Sequence, residues 1–154
     1  MTAKNVIPLL LLALSAGSAS CSHANGSEEQ LTEYCDSFAT YYYNWHFGEA
    51  MRFCTPSSEQ WLRFAATGAT QEDVDALRAK EADASIEIGD VEILSGDTSA
   101  VVKLTVRDFL QMDSIGQPAH LVKEATVKLP MVLHEGMWKV RMEGLPRSER
   151  RSRD

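Results

Sequence analysis

The strongest constraint on the fold is a change of hydrophobic period near Ala82. Before that point the apolar residues recur at helical spacing, with intervals of three and four. The longest such series is Leu31, Tyr34, Cys35, Phe38, Tyr41, Tyr42 and Trp45. After that point apolar and polar residues alternate, which is typical of strands with one buried face. The sequence therefore predicts the α+β class, with N-terminal helices packed on an antiparallel sheet.

Three helices are predicted before the change of period. The first carries the long apolar series. Thr55 and Pro56 start the second, because Thr55 can accept from free amides and proline at the first helical position needs no donor. Thr70 and Asp73 resemble a capping box, which predicts the start of the third helix.

Four strands are predicted after it, and their order favours an antiparallel meander. Alternating apolar residues occur in 86–93, 100–106, 125–133 and 138–142. Gly89 and Asp90 interrupt the first alternation, which indicates a β-bulge. Pro130 lies within the third strand and indicates an edge position or a second bulge.

Residues 1–20 have the pattern of a secretory signal peptide. Lys4 precedes an apolar stretch over 6–14, and small residues fill 15–20. The stretch is too short for a membrane span, which needs about 20 apolar residues. We expect residues 1–20 to be removed and residues 21–28 to form a lipidated cysteine with a flexible tether.

Ser18, Ala19, Ser20 and Cys21 resemble the lipobox of bacterial lipoproteins, although Ser18 replaces the usual leucine. In that family the cysteine receives a lipid and the chain is cut just before it. The resemblance implies acylation of Cys21, for example with palmitate, and an outer-membrane lipoprotein that faces the periplasm. The alternative is plain secretion, with cleavage near Ala19 or Ser20.

The other two cysteines are Cys35 and Cys54. If Cys21 carries lipid, an oxidising compartment allows these two to form a disulfide. Two reduced thiols that pack as small hydrophobic groups are the alternative. The chain has no Cys-x-x-Cys motif, so the spacing gives no support to a redox enzyme.

The net charge of the chain limits the class of partner that it can bind. Among 154 residues, 15 are basic and 22 acidic, which gives a formal net charge of −7. A nucleic-acid role needs a basic face, so we expect no nucleic-acid partner. Residues 144–154 are instead rich in arginine, and we predict that they form a basic disordered tail.

Two segments resemble nuclear transport factor 2-like domains. They are FATYYYNWHFGEAMRFCTP at 38–56, a long helix followed by a glycine-marked bend, and EGMWKV at 135–140, a closing Gly-x-Trp-x-Val strand. The resemblance covers residues 29–143 and implies a cone of helices closed by a curved four-stranded antiparallel sheet. The superfamily includes isomerase-like and dehydratase-like enzymes, ligand binders and interaction modules, and this chain most resembles small secreted lipoproteins of unknown function.

Asp108 is the strongest candidate for chemistry. It continues the phase of Val102, Leu104 and Val106, which predicts that it faces the interior of the cone. A carboxylate in an apolar cavity has a raised pKa and can serve as a general base. The alternatives are that Asp108 lies near the end of the strand and points to solvent, or that a bulge reverses the phase of the alternation.

The end of the first helix supplies the rest of the candidate pocket. Tyr41, Tyr42 and Trp45 lie on its apolar side and can line the mouth of the cone, or they can simply pack in the core. His120 and His134 have no ligand spacing to each other or to cysteine, so we predict no metal site and no cofactor. Phosphate-loop, dinucleotide, zinc-protease and nucleophile-elbow motifs are absent from the sequence.

Three functions remain open on these observations. The first is a non-catalytic, lipid-anchored envelope domain that binds a small apolar ligand or another envelope protein. The second is an isomerase or dehydratase that uses Asp108 with a tyrosine. The third is a homodimer formed through the outer sheet face. We favour the first and expect the cone to be narrow or filled.

Overall fold

The computed structural model describes residues 24–113 and 117–149. The helices are α1 (Glu28–Tyr43), α2 (Phe47–Ala50), α3 (Glu59–Gly68) and α4 (Gln71–Ala79). The strands are β1 (Ser85–Ile93), β2 (Ser99–Gln111), β3 (His120–His134) and β4 (Met137–Val140). The signal peptide and Cys21 lie outside the described residues. The predicted α+β class is confirmed, and no helix in the described part is long and apolar enough to cross a membrane.

The four strands form one antiparallel meander in the order β1-β2-β3-β4. The predicted bulge in β1 is present between Ile88 and Val91. Pro130 is tolerated in β3 because it lies just beyond the last residue that pairs with β4, and its carbonyl accepts from Arg141 N at 2.9 Å.

Helix α1 lies on the inner face of the sheet and buries a wider side than the predicted apolar series. Ser27 caps it, since its hydroxyl accepts from Gln30 N at 3.1 Å. The buried side adds Ala39 and Tyr43 and leaves Tyr41 half-buried. This buried side is wide because α1 contacts the sheet on one side and the neighbouring helix on another.

The second predicted helix begins with a 3₁₀ turn, Pro56–Ser58, which leads into α3. The prediction that Thr55 caps it is wrong. The Thr55 hydroxyl is buried and bonds to the Ser58 hydroxyl at 2.6 Å instead. The Ser58 oxygen accepts in turn from Met142 N at 2.7 Å, so these two hydroxyls tie the start of the helix to the segment after β4.

The capping box predicted at α4 is confirmed. Asp73 Oδ2 accepts from Thr70 N at 2.9 Å, and Thr70 Oγ1 accepts from Asp73 N at 3.2 Å. Asp73 Oδ1 also accepts from Ala119 N at 2.9 Å. The same buried carboxylate therefore starts the helix and fixes the chain just before β3.

Gln30 supplies the hydrogen bonds of a missing strand along the outer edge of β4. Its Oε1 accepts from Trp138 N at 2.8 Å, and its Nε2 donates to Trp138 O at 3.1 Å. The indole Nε1 of Trp138 donates to Gly26 O at 3.0 Å. The tether predicted over 21–28 is thus attached to the domain from Ala24 onward, because Ser27 N also bonds to Ala24 O at 3.1 Å.

The predicted disordered tail differs from the structure over 144–149. The chain turns back after β4 and reaches the edge of β3, where Ser148 bridges Val127 in antiparallel fashion. Glu149 N donates to Thr126 O at 2.8 Å, and the Glu149 carboxylate meets Lys128 Nζ at 2.8 Å. Residues 150–154 lie outside the described residues.

Candidate functional site

Aromatic side chains fill the interior of the cone at the end of α1. Phe38 stacks on Tyr42 at 5.7 Å between ring centroids, and Tyr43 meets Phe109 edge-on at 5.0 Å. The cavity lined by Tyr42, Trp45 and their neighbours has a volume of only about 10 Å³. This is room for about one water molecule, so the cone is filled as expected.

Two buried polar atoms border this small cavity without a hydrogen-bond partner among the described residues. They are the Tyr43 hydroxyl and Gln111 Oε1. Burial raises the pKa of Tyr42 and of Tyr43 above the ordinary value for tyrosine. Both phenols are therefore neutral groups of the core.

The structure does not bring the four predicted pocket residues together. Tyr42 and Trp45 share the small cavity, and Trp45 Nε1 donates to Leu110 O at 3.0 Å. Tyr41 lies outside it and stacks on Phe53 at 5.9 Å. The pocket of Tyr41, Tyr42, Trp45 and Asp108 is therefore not formed.

The inward orientation predicted for Asp108 is wrong, and the alternative of a solvent-facing carboxylate near the end of the strand is what the structure contains. Asp108 has a φ of +54° and is exposed. This left-handed residue shifts the alternation by one position, so Phe109 takes the buried place that the period assigned to Asp108. The interior consequently has no carboxylate from this strand.

Cys35 and Cys54 are free, buried thiols in the structure, which corresponds to the reduced alternative. Desolvation raises the pKa of Cys35 to about 12, with Asp36 adding to the rise. Desolvation also raises the pKa of Cys54 to about 11. A thiol with such a pKa is a weak nucleophile near neutral pH, which argues for a packing role.

A large concave surface lies outside the cone, between α3, the junction of β2 with β3 and the C-terminal segment. We call it the α3 groove, and its volume is about 1000 Å³. Its apolar lining comes from Trp61, Phe64, Met112, Val122 and Leu145. Its charged lining comes from Asp113, His120, Glu143 and Arg147.

The rotation of α3 about its own axis exposes two aromatic side chains, Trp61 and Phe64, to this groove. Leu62 and Ala65 are fully buried, which fixes the rotation of the helix. Phe64 therefore points outward and is 47% exposed, with Trp61 half-buried beside it. The two rings meet edge-on at 6.1 Å. The structure therefore presents an exposed aromatic edge on α3.

His120 and Asp113 form the polar side of the groove, with Nδ1 and Oδ2 at 3.2 Å. Ala119, held by Asp73, places His120 there. Burial by itself raises the pKa of Asp73, but hydrogen bonds from Thr70 and Ala119 outweigh it and lower the pKa below its ordinary value. A charged, buried carboxylate thus positions one wall of the groove.

The polar side chains of the groove are in contact with water. Both His120 and Asp113 are more than half exposed, which leaves them in a water-like dielectric. Ser148 also lines the groove, but it pairs with Val127, seven residues along β3 from His120. Within 24–113 and 117–149, no group of three histidine, cysteine or acidic side chains is placed to hold a metal ion.

The groove as a whole could not be predicted from a local pattern. Its lining comes from α3, from the β2–β3 junction and from residues 143–148, which are far apart in the sequence. The one local signal was Phe64, an aromatic residue that lies between the buried positions Leu62 and Ala65 of α3.

Comparison with known proteins finds a distant likeness among solved structures. No family model and no curated protein matches the chain. Among solved structures, a protein described as an NTF2-like protein involved in plasmid conjugation is similar, with 15% identity and a TM-score of 0.37. The match covers 79% of this chain and 48% of that one, so the chain spans about half the length of its neighbour.

Proposed function

We propose that the chain is a lipid-anchored, non-catalytic interaction module of a bacterial cell envelope, which contacts its partner through the α3 groove. One observation carries this proposal. The interior of the cone is reduced to about 10 Å³, whereas the groove outside it offers about 1000 Å³ and an exposed aromatic ring. Large open concavities with exposed apolar groups are typical of interaction sites.

The chemistry of the groove favours a segment of another protein over a small apolar ligand. An apolar ligand needs an enclosed apolar cavity, and the interior has no such volume. The groove instead combines an aromatic floor with charges of both signs, Glu143 and Arg147 among them. A polypeptide offers apolar side chains for such a floor and polar groups for such a rim.

The two other functions lose their support. An isomerase or dehydratase would need a buried base, and Asp108 is exposed. A dimer through the outer sheet face would need apolar residues there. The described part of that face carries Glu87, Lys103, Arg107, Glu124 and Lys128 instead, so it is strongly charged.

A lipid on Cys21 would determine how the domain stands on the membrane. Gly26 is fixed to Trp138. Four residues lie between Cys21 and Gly26, so the five Cα–Cα steps span at most about 18 Å when the chain is extended. The turn between β3 and β4 would therefore stay close to the bilayer. The 15 residues of β3 run about 45 Å from that turn toward His120 and the groove. The groove would then face away from the membrane.

Site-specific photo-crosslinking tests the groove as the contact surface. A photoreactive amino acid replaces Phe64 in cells that produce the chain with its leader, and a second variant carries it at Ile93. Ile93 is a matched control because it is also apolar and exposed, 39% against 47%, but lies on β1 outside the groove. We expect a discrete adduct with an envelope protein from position 64 alone. Equal adducts from both positions, or none from position 64, would contradict the proposal.

A further inference from the structure

The outer edge of β1 is an open edge of the sheet. In the strand order β1-β2-β3-β4, β1 pairs on one side only, with β2. Within 24–113 and 117–149, no backbone group bonds to its other side between Ser85 and Ile93. An open strand edge presents unpaired amides and carbonyls, which can bond to a strand of another chain.

One side-chain amide closes this edge at its start and indicates which groups beyond it are open. Ala84 N donates to Asn44 Oδ1 at 2.8 Å, and Asn44 Nδ2 donates to Ala84 O at 3.3 Å. Ala84 therefore directs its backbone groups away from β2. Alternate residues of a strand direct these groups to the same side. The N–H and C=O of Ile86 and of Ile88 consequently point to the open edge.

The pairing on the far side of β2 gives the same phase. Thr126 O accepts from Glu149 N, so Thr126 directs its backbone groups away from β2. Its cross-strand partner Thr105 then bonds to β1, where it faces Glu87. Glu87 is thus bonded within the sheet, whereas the residues on both sides of it are open. The bulge after Ile88 ends this regular run.

An acidic trough runs beside this edge. Its volume is about 630 Å³, and it lies between α1 and Ile88 of β1. The α1 side of its lining consists of Glu28, Glu29, Thr32, Glu33 and Asp36. All four of these carboxylates are exposed, and neither α1 nor β1 contains a lysine or an arginine. The wall beside the open edge is therefore strongly negative.

The edge strand itself adds three carboxylates, Glu87, Asp90 and Glu92. Among the described residues, only Glu87 of these three has an ion-pair partner, Arg107 at 2.9 Å. Within the trough, desolvation raises the pKa of Asp36 above its ordinary value. A positive charge supplied from outside would stabilise the ionised form of this carboxyl.

The charge of this edge determines which class of strand it accepts. Two copies of this chain paired through β1 would bring their carboxylates together, and like charges oppose strand pairing. A strand with basic side chains at alternate positions would direct them toward the carboxylates of α1. Complementary charges of this kind favour one partner over others.

We propose that the open edge of β1 binds an extended, basic segment of another protein as an added strand. The backbone groups of Ile86 and Ile88 supply the hydrogen bonds, and the carboxylates of α1 bind the basic side chains of the added strand. The trough shares no residue with the α3 groove, so it is a second contact surface, separate from the one proposed above.

Amide hydrogen exchange with a defined peptide tests the added strand. The probe is a heptapeptide of alternating lysine and valine, which is added to the chain purified from its native membrane. The control peptide alternates glutamate and valine. We expect the lysine peptide alone to slow exchange at the Ile86 and Ile88 amides by about tenfold or more. The Glu87 amide is the internal control, because it already bonds to β2 and should not change.

Unchanged exchange at Ile86 and Ile88, or equal slowing by both peptides, would overturn the proposal. Protection of these two amides in the chain without peptide would also overturn it. The edge would then already be occupied, by another part of this chain or by a second copy.

Charge substitutions test the role of the trough. Glu29→Gln with Glu33→Gln removes two carboxylates beside the edge, and we expect the dissociation constant of the lysine peptide to rise about three- to tenfold. Glu72→Gln with Glu135→Gln is the matched control, since both residues are exposed, lie outside the trough and change the net charge equally. Equal dissociation constants in the two double variants would contradict the assigned role of the carboxylates and with it the basic partner.

Discussion

Asp108 determines which side chains reach the interior near the end of β2. A regular strand would turn its carboxylate inward, but the left-handed backbone at this residue turns it to solvent and brings in Phe109. The sequence does not reveal this, because aspartate is not the residue that positive φ values usually require. Aspartate is nonetheless one of the few side chains that tolerate this conformation.

The effect of a substitution at Asp108 on stability should depend on the left-handed backbone conformation of this residue and not on its position in the strand alternation. Asp108→Val should lower the free energy of unfolding by about 1–2 kcal/mol, because a β-branched residue is strained at positive φ. Asp108→Asn should change it by less than about 0.5 kcal/mol. Urea unfolding measures both.

Lys103→Val is the control, because Lys103 is also exposed on β2 but lies in the regular part of the strand. It should be tolerated or mildly stabilising, since valine favours strands. If Asp108→Val were equally harmless, the left-handed conformation at this residue would be wrong.

At the scale of elements, the contact between α1 and β4 depends on one buried amide. Gln30 satisfies both backbone groups of Trp138, and it also accepts from Gly26 N at 3.3 Å. The helical period could not have predicted this role, because Gln30 precedes the apolar series and its partner lies 108 residues away. A polar residue on the buried side of a helix is the only local sign.

Gln30→Leu should lower the free energy of unfolding by about 2–4 kcal/mol, because it leaves the N–H and C=O of Trp138 buried without partners. Gln71→Leu is the matched control. Gln71 is exposed and bonds only to the Asp75 side chain, so its loss should cost less than about 0.5 kcal/mol. Similar losses in the two variants, measured by urea unfolding, would contradict the edge role of Gln30.

The junction of α4 with β3 should depend on pH through Asp73. The pKa of this carboxyl is lowered in the folded chain, so its ionised form stabilises the fold at pH values above the unfolded pKa of about 3.8. That contribution is lost as the pH falls below 3.8 through the folded pKa. Asp73→Asn should therefore be less stable than the unsubstituted chain near neutral pH, and the difference should shrink in acid.

Unfolding by urea between pH 2 and 6 measures this difference. Asp75→Asn serves as the control, since Asp75 is exposed on the same helix. A difference between the Asp73→Asn variant and the unsubstituted chain that stays constant over this range would contradict the assigned role of the Asp73 carboxylate.

At the scale of the whole molecule, the sequence predicts the architecture well but does not predict the α3 groove. The change of period near Ala82, the bulge in β1 and the capping box at α4 are all local patterns, and each appears in the structure. The α3 groove and the edge pairing of residues 148 and 149 arise from segments that meet only in the folded chain. The local hydrophobic period of a segment does not show which distant segments it will contact.

The fold also determines where the proposed lipid anchor would lie relative to the α3 groove. Because Gly26 is fixed beside β4, the lipid and the α3 groove would lie at opposite ends of β3. Shortening the link between Cys21 and Gly26 would hardly move the groove, whereas loss of the lipid would release the domain altogether.

The intact mass of the chain purified from its native membrane tests the central claim most directly. The account predicts a mass equal to residues 21–154 plus three acyl chains, with the modification on Cys21. A soluble, unacylated chain that begins at Ser20 or Cys21 would contradict the claim of a lipid-anchored envelope module.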